Sequence, residues 1–278
     1  MHSWLVPLVL LAALVGLLVW RWKFKPSHPR LWCEYWVYVR RNQLPTTEAF
    51  LERMVGSNPF NKPGQPCIGA REGLLFTDLR FHMALARKEK NPESFRPDLA
   101  DEHLALAPDT LLLLHDSTAL VVLRYASDRA VADVRHLQFM PHAAAAILDL
   151  CDGTAVLDTQ ASQLWNRDEF KSILERRPQV DGFDLHCRVV WRQAEEGFRA
   201  RTLGLTKVGR SDLVTDPQEP DHETLVTDVL RQAAREAFRD PSGTGPWTVE
   251  AFSDQFEVAL GPVQGRLQSV RIGRRQPS

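Results

Sequence analysis

The chain has 278 residues and is nearly balanced in charge, with 34 Lys and Arg against 35 Asp and Glu. Its first 30 residues contain four basic and no acidic residues, so the remainder carries a net charge of about −5. Broad nucleic-acid binding needs a basic face, so we expect no nucleic-acid partner. Residues 31–278 are enough for one large domain or two small ones.

An apolar run without charge extends from Trp4 to Trp20. A helix of this length spans roughly 25 Å, at the short end of a membrane crossing. The residues before the run include no Lys or Arg, and no small-residue cleavage site follows it, so a cleaved signal peptide is disfavoured. We therefore expect an uncleaved, single-pass transmembrane anchor over residues 1–25, followed by a linker over 26–30.

The flanks of this anchor predict its orientation. Arg21, Lys23 and Lys25 follow the apolar run at once, and basic residues favour the cytosolic side. Trp4 and Trp20 lie where an aromatic belt is expected. The lipid bilayer is thus an expected partner, and we expect the protein in the cell inner membrane with its C-terminal domain in the cytoplasm.

Alternation, helical periodicity and turn residues predict the elements of the first half. Pro and Gly mark an irregular loop at 58–69, and residues 88–108 are expected to be an irregular connection. The predicted strands are 31–40, 74–85 and 119–125, and the predicted helices are 45–55 and 108–116.

The second half predicts a similar mixture of helices and hairpins. A helix beginning at Pro141 should stop at Cys151-Asp-Gly153. Glu195-Glu-Gly197 indicates a hairpin turn, and residues 221–239 form the strongest amphipathic pattern. The predicted helices are 141–151, 166–177 and 221–239, and the predicted strands are 154–158, 185–193, 198–203, 248–252 and 255–260.

This order of elements predicts an α+β fold, with mixed, largely antiparallel sheets and helices packed on one face. No Gly-x-Gly-x-x-Gly loop follows a strand and no Walker loop is present, which disfavours a doubly wound nucleotide-binding fold. We expect an N-terminal subdomain over 31–117, a second subdomain over 118–265 and a basic, flexible tail over 266–278.

Residues 199–213 resemble a pattern of the DUF4261 family, bacterial domains of unknown function. The resemblance rests on a strand ending in Thr-x-Gly-Leu and a following glycine and acidic-Leu pair, and it covers roughly residues 118–260. Val208 departs from the pattern, where an aromatic residue is usual. The resemblance implies an α+β domain and no known activity. The matching residues are Thr202, Gly204, Leu205, Gly209, Asp212 and Leu213.

The same stretch holds a candidate ligand site. Gly204 and Gly209 could expose backbone N–H groups near Arg201 and Arg210, as anion sites require. The alternative, which we favour, is a compact turn in which the glycines supply positive φ and Ser211 caps a helix.

Asp78, Arg80 and His82 share one face if their segment is a strand, which could place a general base beside a carboxylate. A clustered Asp78, His82 and His186 would favour a hydrolase-like enzyme. A solvated strand face is the more ordinary explanation.

Other reactive residues form weaker patterns. His136 and His142 could bind a metal only with a third ligand, His186 or Asp133, and capping or surface positions are favoured for them. Ser117 and Ser162 lack the Gly-x-Ser-x-Gly context. We expect no metal and no cofactor.

The four cysteines form no C-x-x-C motif and each lies in an apolar stretch, so buried free thiols are favoured over disulfides. Their even number leaves an extracellular location open. Cys67 lies in the Gly/Pro-rich loop and lacks an identifiable base. The cysteines are Cys33, Cys67, Cys151 and Cys187.

Taken together, the sequence favours a non-enzymatic, membrane-tethered domain that binds a protein partner or a small ligand. An unrecognised membrane-tethered enzyme is the alternative, and a structural role outside the membrane is a third possibility.

Overall fold

The computed structural model describes residues 31–56, 80–104, 106–128, 134–176, 180–243 and 245–275. The predicted anchor and linker lie outside these ranges, as do Cys67, Asp78 and Asp133. Within the described ranges, no helix is long and apolar enough to span a membrane. The α+β class is confirmed, with two mostly antiparallel sheets and several helices.

The first sheet has the order β2-β3-β1-β4-β5, and each neighbouring pair is antiparallel. It contains residues from both predicted subdomains, so the boundary predicted at residue 118 falls inside it. Strand β5 was not predicted from the sequence. The strands are β1 (Leu31–Val39), β2 (Phe81–Arg87), β3 (Ala119–Ser127), β4 (Gly153–Asp158) and β5 (Gln163–Asn166).

Helices cover both faces of the first sheet, not one face as predicted. On one face, the core around Tyr35 includes most of α4, and on the other face Tyr38 packs with Leu114 of α3. The reason lies in β1, which is apolar or aromatic at every position except Glu34 and so has two faces to bury. The helices near this sheet are α1 (Thr47–Gly56), α2 (Pro97–Ala100), α3 (Pro108–Asp116), α4 (Arg135–Leu150) and α5 (Arg167–Arg176).

Helix α4 begins six residues earlier than predicted, and Pro141 lies inside it. Proline lacks the N–H that would bond to the carbonyl of residue 137, which usually ends a helix. Here the carbonyl of Leu137 lies close enough to the His186 ring to influence its pKa. The helix nevertheless continues through Pro141 as far as Leu150.

The second sheet has the order β6-β7-β8-β11-β10-β9, and only the β8–β11 contact among these is parallel. Residues 267–274 form β11 in the middle of this sheet, so the predicted flexible tail is wrong for them. Helix α7 covers one face, where Trp191 Nε1 donates to Thr227 Oγ1 at 2.9 Å. The elements are α6 (Phe183–His186), β6 (Arg188–Gln193), β7 (Phe198–Leu203), β8 (Asp212–Thr215), α7 (Glu223–Arg239), β9 (Trp247–Ala251), β10 (Asp254–Gln264) and β11 (Leu267–Arg274).

A short 3₁₀ turn, Leu205–Val208, joins β7 to β8 and packs against β1 of the first sheet. Positive φ angles of 112° at Gly204 and 78° at Gly209 flank this turn, as the compact-turn interpretation expects. A strand, not a helix, follows the turn, so Ser211 caps no helix. A Cβ on Gly204 would lie 2.0 Å from the carbonyl oxygen of His186, so only glycine allows this approach.

We predict that Gly204→Ala lowers the free energy of unfolding by about 3 kcal/mol, because both the positive φ and the contact with the backbone of α6 oppose a side chain. Gly265→Ala is the matched control. Gly265 also has a positive φ, 62°, but nothing lies within 4 Å of its added Cβ. Its cost should be about 1 kcal/mol. Urea unfolding of the detergent-solubilised chain measures both, and equal losses would contradict the prediction.

Candidate functional site

A buried ion pair joins the two sheets. Asp158 ends β4 of the first sheet, Lys207 lies in the 3₁₀ turn, and both side chains are fully inaccessible to solvent. Lys207 Nζ donates to Asp158 Oδ2. The other carboxylate oxygen, Oδ1, accepts the N–H groups of Gln160 and Ala161, each at 3.1 Å. Both charges are therefore compensated inside the core, as buried charges must be.

His186 forms the next layer of this cluster. Its Nε2 lies 2.7 Å from the carbonyl oxygen of Val180, which can only accept, so Nε2 carries the proton. Its Nδ1 faces the Tyr35 hydroxyl at 3.3 Å and Lys207 Nζ at 3.5 Å, and it accepts from them. Burial, together with the charge of Lys207, holds the pKa of His186 well below its usual value. The imidazole is neutral and fixed in one tautomer.

Lys207 has two further links that fix its position. Its Nζ donates to the carbonyl oxygen of His186 at 3.0 Å, and its own carbonyl accepts from His136 Nε2 at 2.8 Å. The His136 ring stacks on Tyr125, with centroids 4.7 Å apart and planes 6° from parallel. Residues of α4, α6 and β3 therefore converge on one turn.

The described thiols are unsuited to nucleophilic chemistry. Cys33, Cys151 and Cys187 are free and buried. Burial raises the pKa of each of them, and at Cys33 this effect outweighs the opposing influence of Lys207. The thiolate is the reactive form, so these groups behave as small apolar side chains.

Asp212 is a second buried carboxylate, at the start of β8. Its Oδ1 accepts the N–H of Leu205 at 3.0 Å and the hydroxyl of Thr202 at 3.3 Å, and Arg201 lies 4.0 Å from Oδ2. Burial outweighs these contacts and raises the pKa of Asp212 to about 7. The carboxyl group therefore holds its proton far more strongly in the fold than in the unfolded chain.

The polar residues considered for an enzyme are not gathered into one pocket. His82 is exposed on the edge strand β2, and its register with Arg124 and Glu34 places it on the face of the sheet opposite Tyr35. His186 bonds to Tyr35 and is fully buried. His82 and His186 are therefore separated by the sheet, and Asp78 lies outside the described residues.

The arginines of the candidate anion site are also separated. Arg210 Nη1 donates to the carbonyl oxygens of Pro241 and Gly243, and its guanidinium lies over Trp247. Arg201 lies instead beside Asp212, at 4.0 Å. The two guanidiniums therefore do not converge on one site. Gly204 and Gly209, which lie between them in the sequence, supply the positive φ angles of the turn.

The histidines considered for a metal have structural contacts. His136 and His142 are buried in α4, so the expected capping or surface positions are wrong, because the helix begins before both of them. Gln138 Nε2 donates to His142 Nε2 at 3.3 Å, and burial lowers the pKa of His142. Among the residues that the structure describes, no group of three or more His, Cys, Asp or Glu could hold a metal ion.

A groove of about 660 Å³ lies on the face of the second sheet opposite α7. Its floor includes Val214, Ala259 and Leu267, and the exposed guanidinium-bearing residues Arg199 and Arg271 lie at its side. Neither arginine forms an ion pair with a described residue. An apolar floor beside uncompensated positive charge suits a ligand that has an apolar part and a negative group.

Two like charges lie close together beside this groove. Arg192 and Arg199 lie directly opposite each other on β6 and β7, and like charges in that position destabilise a sheet. Glu102 pairs with Arg192 at 3.2 Å, which leaves Arg199 uncompensated. The sequence did not indicate this groove, because the groove depends on the strand register, and because Arg271 fell in the predicted tail.

No family model, curated protein or solved structure matches the chain. The resemblance to DUF4261 domains therefore stays a prediction.

We predict that Lys207→Met lowers the free energy of unfolding by about 3–5 kcal/mol, because it leaves Asp158 charged and buried without its counter-ion. Adding Asp158→Asn should restore about half of the loss or more, since the Asn oxygen can still accept the two N–H groups. Urea unfolding of the detergent-solubilised chain, followed by tryptophan fluorescence, measures the three proteins.

The control for this pair is Glu236→Gln, which breaks the exposed contact of Glu236 with Arg239 at 3.0 Å. An exposed pair contributes little, so its loss should stay below about 1 kcal/mol. A double variant as unstable as the sum of its two single variants would show that Lys207 and Asp158 do not act as a pair.

We also predict a pH dependence that originates at Asp212. Between about pH 4 and pH 7 the folded chain holds a proton there that the unfolded chain has lost, so stability from this group falls as pH rises. Asp212→Asn removes this titration. Relative to the parent, the variant should therefore gain about 2–4 kcal/mol of unfolding free energy between pH 4 and pH 8. If the unfolding free energies of the two proteins changed with pH in the same way, Asp212 would not be the source of the pH dependence.

Proposed function

We propose that this chain is a single-pass protein of the cell inner membrane whose cytoplasmic α+β domain binds a protein partner or a small ligand. The observation that carries the proposal is the open groove beside Arg199 and Arg271. The membrane part rests on the sequence alone, on the apolar run from Trp4 to Trp20 and its basic flank.

The interior cluster supports a binding role more than a catalytic one. Lys207 and Asp158 are inaccessible to any substrate, and each uses its polar atoms in contacts within the protein. The enzyme alternative would need His82 and His186 in one pocket, and the sheet separates them. The groove, by contrast, presents polar residues to solvent at a concave surface.

The groove favours a negatively charged ligand. Arg199 is on β7 and Arg271 is on β11, with β8 between them. Asp216 also lines the groove, so the site is not uniformly positive. Two guanidiniums against one carboxylate nevertheless leave it able to accept an anionic group, and guanidinium forks suit carboxylates and phosphates.

The test is affinity capture of the full chain in lipid nanodiscs, with the variant Arg199→Glu/Arg271→Glu compared with the parent. We predict that a stoichiometric partner, or stabilisation by an anionic small molecule in a thermal-shift screen, is lost at least tenfold in the variant. Reversing both charges replaces attraction of the anionic group by repulsion. A matched control is Arg231→Glu, an exposed arginine on α7, which covers the other face of the sheet.

Binding that survives in the groove variant would place the site elsewhere on the domain. Absence of any stoichiometric partner and of any stabilising ligand, for parent and control alike, would contradict the binding role. Loss in the Arg231→Glu control as well would indicate a general charge effect instead of recognition by the groove.

A further inference from the structure

The β10–β11 turn forms an exposed tip beyond an irregularity in the strand register between Leu260 and Val263. Val263 keeps 55% of its surface exposed, although it is a large apolar residue. Arg266 completes the tip and is also exposed. Its backbone carbonyl accepts the N–H of Asp212 at 2.9 Å, so the tip is held against β8.

This tip lies beside the point where the chain arrives from the predicted anchor. The Arg266 guanidinium lies 5.8 Å from the ring centre of Trp32, the second residue of β1. Arg124 covers the same indole at 4.5 Å, but it is paired with the buried Glu34. Arg266 has no ion pair with any residue the structure describes, so its charge is uncompensated.

The length of the connecting chain limits how far this end can be from the bilayer. Six steps separate Lys25 from Leu31, and even a fully extended chain covers at most about 3.6 Å per residue, or roughly 20 Å. The basic flank of the anchor belongs at the headgroup layer. The end of the domain that carries Trp32 and Arg266 is therefore the end that faces the membrane.

The opposite end of β10 provides the contrast. There the β9–β10 turn exposes Phe252 to 63%, an equally apolar tip. The neighbouring charges are paired, with Arg274 at 2.6 Å from the carboxylate of Asp254. Eleven residues of strand separate the two tips, roughly 35 Å. Only the tip with Val263 combines an apolar residue, a free positive charge and proximity to residue 31.

We propose that the Val263–Arg266 tip docks on the surface of an anionic lipid bilayer, with Val263 at the boundary of the acyl chains and Arg266 on lipid phosphate groups. Apolar residues beside basic ones bind such interfaces. The anchor keeps the tip at high local concentration, so a weak contact is sufficient. This inference rests on the anchor of the proposed function, and not on the groove.

The experiment places p-benzoylphenylalanine at position 263 or at position 252 of the full chain, reconstituted in vesicles of phosphatidylcholine with one quarter phosphatidylglycerol. On irradiation, the excited benzophenone carbonyl inserts into a nearby C–H bond and forms a covalent adduct. Mass spectrometry then counts lipid adducts. We expect at least tenfold more lipid adduct at 263 than at 252, which is the matched exposed apolar tip.

The charge is tested with Arg266→Glu in the chain labelled at 263. In the anionic vesicles this change should lower the adduct yield severalfold, to the level found with phosphatidylcholine alone. The urea midpoint of each labelled protein should equal that of the parent, because both positions are exposed.

Flotation of the vesicles separates the two ways in which the idea can fail. A chain that does not float with the vesicles lacks the anchor, which overturns the membrane part of the proposed function and this inference with it. A chain that floats but gives equal or no lipid adducts at 263 and 252 overturns the docking alone. An adduct yield unaffected by Arg266→Glu and by lipid charge overturns the contact of Arg266 with anionic headgroups.

Discussion

The buried contact between Lys207 and Asp158 is the constraint around which the described fold is arranged. An ammonium and a carboxylate without solvent are tolerable only when every polar atom nearby has a partner. That requirement explains why the N–H groups of Gln160 and Ala161 turn towards Asp158, and why the carbonyl of His186 turns towards Lys207. It also explains the glycine at 204, which lets the chain approach that carbonyl. The two sheets are therefore held in one relative position by polar contacts as well as by apolar packing.

The same constraint places several residues of the kinds used in catalysis inside the protein. The residues that resemble catalytic groups, among them His186 and the buried thiols, are committed to the interior and shielded from water. Arg188 adds another link, because its Nη2 donates to the carbonyl oxygens of Ser162 at 2.6 Å and His103 at 2.9 Å. Uncompensated positive charge lies at the surface instead. It is found on the sheet face opposite α7 and at the Val263–Arg266 tip.

Local sequence predicted most elements because their signals are local. Helix α3 matches its prediction from Pro108 to Asp116, and the hairpin around Gly197 was found from its turn residues. Pro141 misled the prediction of α4, because the helix continues through the proline and begins at Arg135. Strand β11 was missed because its basic residues resemble a solvated tail, while its pairing partners decide its position.

The candidate sites depended on distant pairings that a single sequence does not contain. Asp158 and Lys207 are 49 residues apart, and neither was singled out. His186 was singled out as a possible member of an enzyme site or as a metal ligand, yet its role became visible only with its neighbours Tyr35 and Val180. The register of β7, β8 and β11 likewise decides that Arg199 and Arg271 line one groove. Alternation assigns each arginine to a strand face, but only the order of the strands in the sheet joins them.

That strand order has a mechanical consequence. The second sheet consists of two three-stranded meanders, β6-β7-β8 and β9-β10-β11, which meet only where β8 runs parallel to β11 over four residue pairs. This seam is short, and parallel pairing is slightly less stable per residue than antiparallel pairing. Arg199 belongs to one meander and Arg271 to the other. An anionic group bound to both guanidiniums would therefore link the two meanders and stabilise their contact.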